Sequence, residues 1–176
     1  TDTQDVSGTV LSRQEVTASE DAVKTVITSF EGEYMQIPPM YSALKVNGQK
    51  LCDLARKGIE VERKARPVTI HKIEILEIDL PRVRMKVECS KGTYIRTLCQ
   101  DIGEKLGCGA CMESLLRTRV SEFRLDGALR LQQIEELVQR EDFSFVQSVD
   151  SVFMQYDSAQ VMEIAKKMVE NGNRIP

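Results

Sequence analysis

Apolar residues first recur at helical spacing in "SEDAVKTVITSFEG", where Ala22, Val23, Val26, Ile27 and Phe30 share one side. Ser19 stands where an N-cap belongs, acids fill the first turn, and Gly32 supplies a stop, so the pattern predicts a helix from Ser19 to Gly32. The next stretch, "EYMQIPPMYSALKVNGQK", has two adjacent prolines that remove backbone donors and fix φ; it reads as an extended loop and not as a central strand. A short helix follows in "QKLCDLARKG", with Leu51, Leu54 and Ala55 on one side and Gly58 closing it. Period-two alternation then dominates. "PVTIHKIEILEIDL" carries Ile73, Ile75 and Ile78, and "RVRMKVECS" sets Val83, Met85, Val87 and Cys89 against charged neighbours. Pro81 between them predicts a hairpin.

Beyond the hairpin, Ile95, Leu98, Ile102 and Leu106 mark the inner face of a helix ending near Gly107. "CMESLLRTRVSEF" reads as a strand and "LRLQQIEELVQ" as a helix. The tail "DSAQVMEIAKKMVENG" reads as a last helix, capped by Asp157 or Ser158 and ended by Gly172, and "EDFSFVQSVDSVFMQY", without a clear period, is the linker before it. These elements predict an α+β, mixed α/β fold: a largely antiparallel sheet flanked by helices.

Composition narrows the class. With 176 residues, 41% hydrophobic and 29% charged, the chain can bury a core of ordinary size. No apolar run reaches the roughly 20 residues of a membrane span, and the opening "TDTQDVSGTV" has no signal-peptide character, so the default location is cytoplasmic and no membrane partner is expected. Five cysteines sit in apolar-patterned segments and leave an odd one over, which fits reduced thiols. Cys108 and Cys111 form a C-x-x-C, but His71 is the only histidine and a zinc site needs two further ligands; small buried residues are the plainer reading, and no metal is expected.

The formal net charge of −3 conceals a basic middle. Tyr41 to Lys72 holds eight Lys/Arg against three Asp/Glu, and Arg82 to Arg130 ten against six, whereas the first forty residues hold two against seven. A basic body between acidic ends suits a polyanionic partner. In "IPPMYSALK" and the residues after it, stiff prolines, Tyr41, Lys45, Lys50, Arg56 and Lys57 combine an aromatic ring with phosphate-tracking cations, a composition suited to structured RNA; a proline-stiffened edge loop with a solvated face is the alternative.

One residue is placed against its electrostatic grain. In "SKGTYIRTL", Arg96 falls in the first turn of a helix, where the backbone already presents partial positive charge. Its inner-face neighbours Ile95 and Leu98 leave it projecting sideways, beside free backbone N–H groups, and a guanidinium fork there makes a carboxylate or phosphate site. The alternatives are a solvated side chain or a pair with Asp101 or a nearby glutamate. Lys91 and Gly92 before it lack the spacing of a Walker phosphate loop.

Taken together, "TDTQD" with Gly8, "IPPMYSALK", "LARKGIEV", "RP", "CSKGTYIRTL", "GEKLGCGA" and "LLRT" resemble, in order and spacing, the TruB family of bacterial tRNA pseudouridine synthases. The resemblance runs continuously over residues 1–150; residues 151–176 more loosely resemble the lead into a PUA-like C-terminal region, with "NGNRIP" at its start. It implies an isomerase that converts a T-loop uridine of tRNA to pseudouridine without a cofactor, through an aspartate that attacks the sugar or the base. Arg96 matches the arginine that pairs with that aspartate, and Asp5 and Arg56 match the rest of an arginine–aspartate network. Tyr94 and Leu115 match pocket-lining positions, Tyr41 and Lys45 fall in a thumb-like clamp over 34–58, and Lys91 adds a cation at the pocket's edge.

The family's nucleophile lies in a G-x-L-D-P-x-A-T-G motif upstream of "TDT", together with a base-contacting tyrosine, and neither stands in this sequence. The chain is therefore expected to be the C-terminal part of the catalytic domain, its sheet incomplete on the N-terminal side, inactive alone and open to self-association through a bare sheet edge. The full-length enzyme is expected to act as a monomer on the T-arm of tRNA. The competing reading is a non-catalytic tRNA-binding or chaperone-like module.

Overall fold

A computed structural model describes residues 1–174 and divides the chain into two compact units, Thr1–Leu115 and Leu116–Pro176. In the first unit, α1 (Glu20–Thr28) is capped by Ser19, whose Oγ accepts from the Ala22 N–H at 3.3 Å, and it buries Val23 and Ile27. The helix stops at Ser29; Gly32, at φ +102°, opens the next strand rather than closing the helix. Three antiparallel strands follow in the spatial order β1 (Gly32–Gln36), β4 (Arg66–Asp79), β5 (Arg82–Cys89). Between β1 and β4 lie a two-residue hairpin, β2 (Lys45–Val46) and β3 (Gln49–Lys50), and α2 (Leu51–Arg56); α3 (Ile95–Leu106) comes after β5.

The apolar stripe of β4 runs Val68, Ile70, Ile73, Ile75, Ile78, stepping by two, three, two and three. A regular strand would throw every residue after a three-step onto the other face. The pairing supplies the correction: the register shifts between Ile70 and Lys72 and again between Ile75 and Glu77, so His71 and Leu76 are extra residues that the partner strand does not match. Both are exposed, and the isoleucines stay on one face. There they meet α1 and α3 in one core of Val23, Ile27, Ile70, Ile73, Leu98 and Ile102. Each fully buried member contributes about 1.5–3 kcal/mol relative to exposure. Charged residues of the hairpin pair across the strands, Glu77 with Arg84 at 2.8 Å and Glu74 with Lys86 at 4.0 Å.

The antiparallel sheet with packed helices agrees with the pattern, and several local expectations are corrected. Residues 33–36 are not loop but the edge strand β1, and Pro38 and Pro39 lie just past its last ladder pair, where a missing N–H costs nothing. "VNGQ" is a hairpin: Asn47 and Gly48 both have positive φ, 50° and 81°, as a two-residue turn matched to strand twist requires. The thumb-like segment is seated at its base, with Gln36, Ser42, Leu51 and Leu54 buried, and exposed at its tip.

The strand expected over 111–123 is reduced to one parallel bridge between Asp5 and Met112 and the small hairpin β6 (Arg119–Val120) and β7 (Phe123–Arg124), because Leu115 and Leu116 break the alternation and Ser121 turns at φ +51°. In the second unit α4 (Leu131–Gln139) forms as expected. The last helix, α5 (Glu163–Glu170), starts later than Asp157 or Ser158 would cap it. A cap is worth only about 1 kcal/mol, and the exposed Val161 and Met162 offer no packing to extend the helix backwards. The final Ile175 and Pro176 of "NGNRIP" lie outside the described residues. Among the described residues no helix is long and apolar enough to cross a membrane.

Two features of α3 have measurable consequences. Gly103 is where the Gly109–Ala110 backbone crosses the helix: a Cβ there would lie 2.2 Å from the Ala110 nitrogen and 2.3 Å from the Gly109 carbonyl carbon. Gly103→Ala is expected to destabilise the fold by about 1–3 kcal/mol in denaturant titration, through overpacking. Asp101 is half-buried, and burial, reinforced by Glu104, raises its carboxyl to about 6, above the ordinary carboxylate value of about 3.9. The folded state thus holds a proton that the unfolded state has already released, so this group's contribution to stability falls as pH rises from about 4 to 6. Asp101→Asn is expected to raise the melting temperature at pH 7.5 and to make no difference near pH 4.

Candidate functional site

Arg96 is the second residue of α3, and its side chain is 24% exposed. The field of the helix N-terminus costs a cation there about 0.3–1 kcal/mol. Three acceptors offset it: the Thr3 carbonyl at 3.2 Å and the Asp5 carboxylate at 3.5 Å on one terminal nitrogen, and the Tyr41 carbonyl at 2.8 Å on the other. The closest partner is thus the base of the thumb-like segment. Among carboxylates Arg96 meets Asp5 and not Asp101, as a single long contact within a three-way hub; the aspartate expected to pair with it belongs to the motif that does not stand in this sequence.

Asp5 is held in place by its own segment. Its carboxylate accepts from the Ser7 hydroxyl, from the Ser7 N–H at 2.9 Å and from the Thr3 hydroxyl at 3.2 Å. The Ser7 hydroxyl, first, and then the other donors and Arg96 hold the carboxyl below its ordinary value against the opposing effect of burial, so it is ionised at neutral pH. Around it residues 1–9 form a compact knot. Asp2 and Thr9 bond twice, and a side chain at Gly8 would strike the Thr3 hydroxyl, 2.1 Å from where its Cβ would be. Val6 N–H and Met112 N–H donate to the Met112 and Gln4 carbonyls, forming the parallel bridge. Gln4, left-handed at φ +64°, accepts from the buried Thr97 hydroxyl at 2.8 Å. Consecutive residues of α3, Arg96 and Thr97, therefore fasten three consecutive residues, Thr3, Gln4 and Asp5.

Tyr94, the N-cap position of α3, is half-buried and has no side-chain cap of its own. The carboxamide of Gln36 takes that role: Oε1 accepts the Tyr94 N–H at 2.8 Å, and Nε2 donates to the Tyr94 carbonyl at 3.1 Å and to the Tyr34 hydroxyl. Lys91 is exposed on the turn at Gly92, φ +87°, and Lys45 is exposed on β2. Leu115, 55% exposed, ends the first unit. Arg56 does not join Asp5: it lies on the solvent side of α2 and pairs with Asp53 at 3.2 Å, a local i,i+3 partner. Gln36, Gln4, Thr97 and the two backbone carbonyls were not among the expected site residues. Carbonyls carry no residue-type signal, and a glutamine ahead of Ile-Pro-Pro gives no hint of a partner 58 positions away.

All five cysteines are free. Burial, and then Cys111, push the Cys99 thiol up to about 11, so it is neutral at physiological pH. Among the described residues no group of three or more potential metal ligands converges. What the arrangement offers chemically is a part-open, fixed guanidinium beside an ionised carboxylate, with a tyrosine ahead of it.

Residues 1–95 match the model of the TruB family pseudouridylate synthase N-terminal domain, and residues 96–159 that of the tRNA pseudouridylate synthase B C-terminal domain. The chain is 50% identical over 175 residues to tRNA pseudouridine synthase B of Alkaliphilus oremlandii, covering 99% of this chain and 58% of that protein. It is 48% identical over 174 residues to the synthase of the same name from Clostridium acetobutylicum, covering 99% and 59%. It thus spans rather less than two thirds of the relatives it matches. Among solved structures, a Cbf5–Nop10–Gar1 complex aligns with 77% of this chain and 36% of that chain at TM-score 0.59 and 30% identity. An H/ACA ribonucleoprotein bound to a substrate RNA containing 2′-deoxyuridine aligns with 77% and 35% at TM-score 0.54 and 26% identity. The chain belongs to the TruB family of pseudouridylate synthases.

Proposed function

We propose that the full-length protein isomerises a T-loop uridine of tRNA to pseudouridine, and that these residues supply the counter-cation, part of the pocket wall and the RNA clamp. The observation that carries the reading is the position of Arg96: a guanidinium fixed by Thr3, Asp5 and Tyr41 yet part-open to solvent. Support comes from membership of the family and from the neighbouring ribonucleoprotein, which binds a substrate RNA containing 2′-deoxyuridine. The isomerisation breaks the C–N glycosidic bond and makes a C–C bond within one nucleotide, so its atoms balance without a cofactor. A carboxylate nucleophile has to stay ionised in a pocket dry enough for a base, and an adjacent guanidinium favours the charged form. No L-D-P-x-A-T-G motif stands among the 176 residues, so this reading assigns the turnover to the full-length protein. Tyr94 and Leu115 serve as walls that replace stacking lost when the uridine leaves its loop.

The two basic stretches differ in what their charges do. Arg84 and Lys86 are paired with Glu77 and Glu74, and Arg82 with Glu113. Lys45, Lys50, Lys57, Lys64 and Lys91 form no ion pair among the described residues and are exposed. The clamp reading therefore assigns phosphate contacts to the 45–64 side and to Lys91. Residues 151–176 are assigned to the lead into a PUA-like region.

Arg96→Lys in the full-length protein is expected to lower kcat by about 100-fold or more while tRNA affinity changes by less than about threefold, because a point charge cannot hold several acceptors at once. Equal losses would reduce Arg96 to a phosphate contact, and tRNA binding without any uridine conversion in the parent protein would select the non-catalytic clamp. Lys45→Ala is expected to weaken tRNA binding and to lower the salt slope by about 1, whereas Lys86→Ala leaves the slope unchanged. Filter binding across a salt series separates the two.

A further inference from the structure

Gln36 closes a ring of contacts. It ends β1 and is 2% exposed, and its carboxamide grips both peptide groups of Tyr94. From Tyr94 the first turn of α3 leads to Arg96, and Arg96 reaches the Tyr41 carbonyl at 2.8 Å. From Tyr41 the chain runs back through Pro39 and Pro38, both buried, to Gln36. Each link is short or stiff: a two-point side-chain grip, a helical turn, a hydrogen bond and a proline pair. Without Gln36 the helix would begin at a residue with no side-chain cap, and the angle at which α3 presents Arg96 would be left to the hydrophobic face alone.

We infer that Gln36 is a positioning residue, whose carboxamide fixes the Tyr94 peptide and through it sets Tyr94 and Arg96 relative to the base of the clamp. The inference rests on the pseudouridine synthase reading for its kinetic consequence and on geometry alone for its structural one. The chemistry explains why an amide serves. A leucine would leave a Tyr94 N–H without its acceptor, and a glutamate would keep that acceptor but, when ionised, could not donate to the Tyr94 carbonyl. Protonation of the glutamate would restore a neutral group with both functions.

The test uses the full-length protein with Gln36→Leu, Gln36→Glu and a core control, Val23→Ala, which is buried in the same unit and distant in role. Gln36→Leu is expected to lower kcat by about 10- to 100-fold with KM for tRNA changed by less than about threefold, beyond any loss in the control at equal margin below its melting temperature. Gln36→Glu is expected to regain kcat relative to the parent as pH falls from 8 to 6, a profile that a merely structural residue would not produce. A Gln36→Leu kcat loss matched by Val23→Ala, or a flat Gln36→Glu profile, would overturn the inference. A second readout does not need turnover: with 3-fluorotyrosine incorporated, the fluorine resonance of Tyr94 is expected to shift or broaden in Gln36→Leu and to stay put in Val23→Ala. If the parent protein converts no uridine, the synthase reading fails while this resonance still decides the positioning role, and an unmoved Tyr94 signal overturns it.

Discussion

A guanidinium at the start of a helix is held in place here largely by neutral oxygens. Two of the three acceptors of Arg96 are backbone carbonyls, from Thr3 and Tyr41, and the carboxylate of Asp5 is the most distant. An arginine neutralised by a tight bidentate carboxylate would have little field left for anything else; one anchored by carbonyl dipoles keeps most of its charge available. The Asp5 carboxyl, for its part, is held below the ordinary carboxylate range first by the Ser7 hydroxyl. The segments carrying the two charges, residues 1–9 and the first turn of α3, are joined by the two contacts of the Arg96 guanidinium and by the Thr97–Gln4 hydrogen bond. Everything that surrounds the site depends on that turn being fixed in direction.

The same economy governs the surface. On the β4–β5 hairpin, oppositely charged residues face one another across the strands, which largely cancels their field. Along residues 45–64 the exposed lysines have no such partners among the described residues, so positive potential is concentrated there. A total charge of −3 hides this because pairing, and not composition, decides which cations face outward.

The sequence made the core legible and the site only partly so. α1 and α3 and the β4–β5 hairpin carry strong apolar stripes, and each appears where its stripe lies. β1 and the β2–β3 hairpin were obscured because their strands are too short for an alternation to register, although Asn47–Gly48 carries the turn chemistry. At the site, Arg96 and Asp5 were recognisable as residue types in a family pattern and do meet. Arg56 was assigned by the same pattern, but Asp53, three residues away on its own helix, is its partner in the fold. Backbone acceptors and the Gln36 grip depend on tertiary proximity alone, which no local period encodes.

The two unmatched residues of β4 bear on how this chain tolerates change in length. A one-residue deletion in a regular strand turns its remaining side chains inside out. Loss of His71 or Leu76 would instead leave a straight ladder with the isoleucines still inward, since neither residue has a counterpart on β5. What would disappear is the local bend and added twist that such an extra residue brings to a strand. In this strand, shortening by one residue at those two points alters curvature before it alters the core.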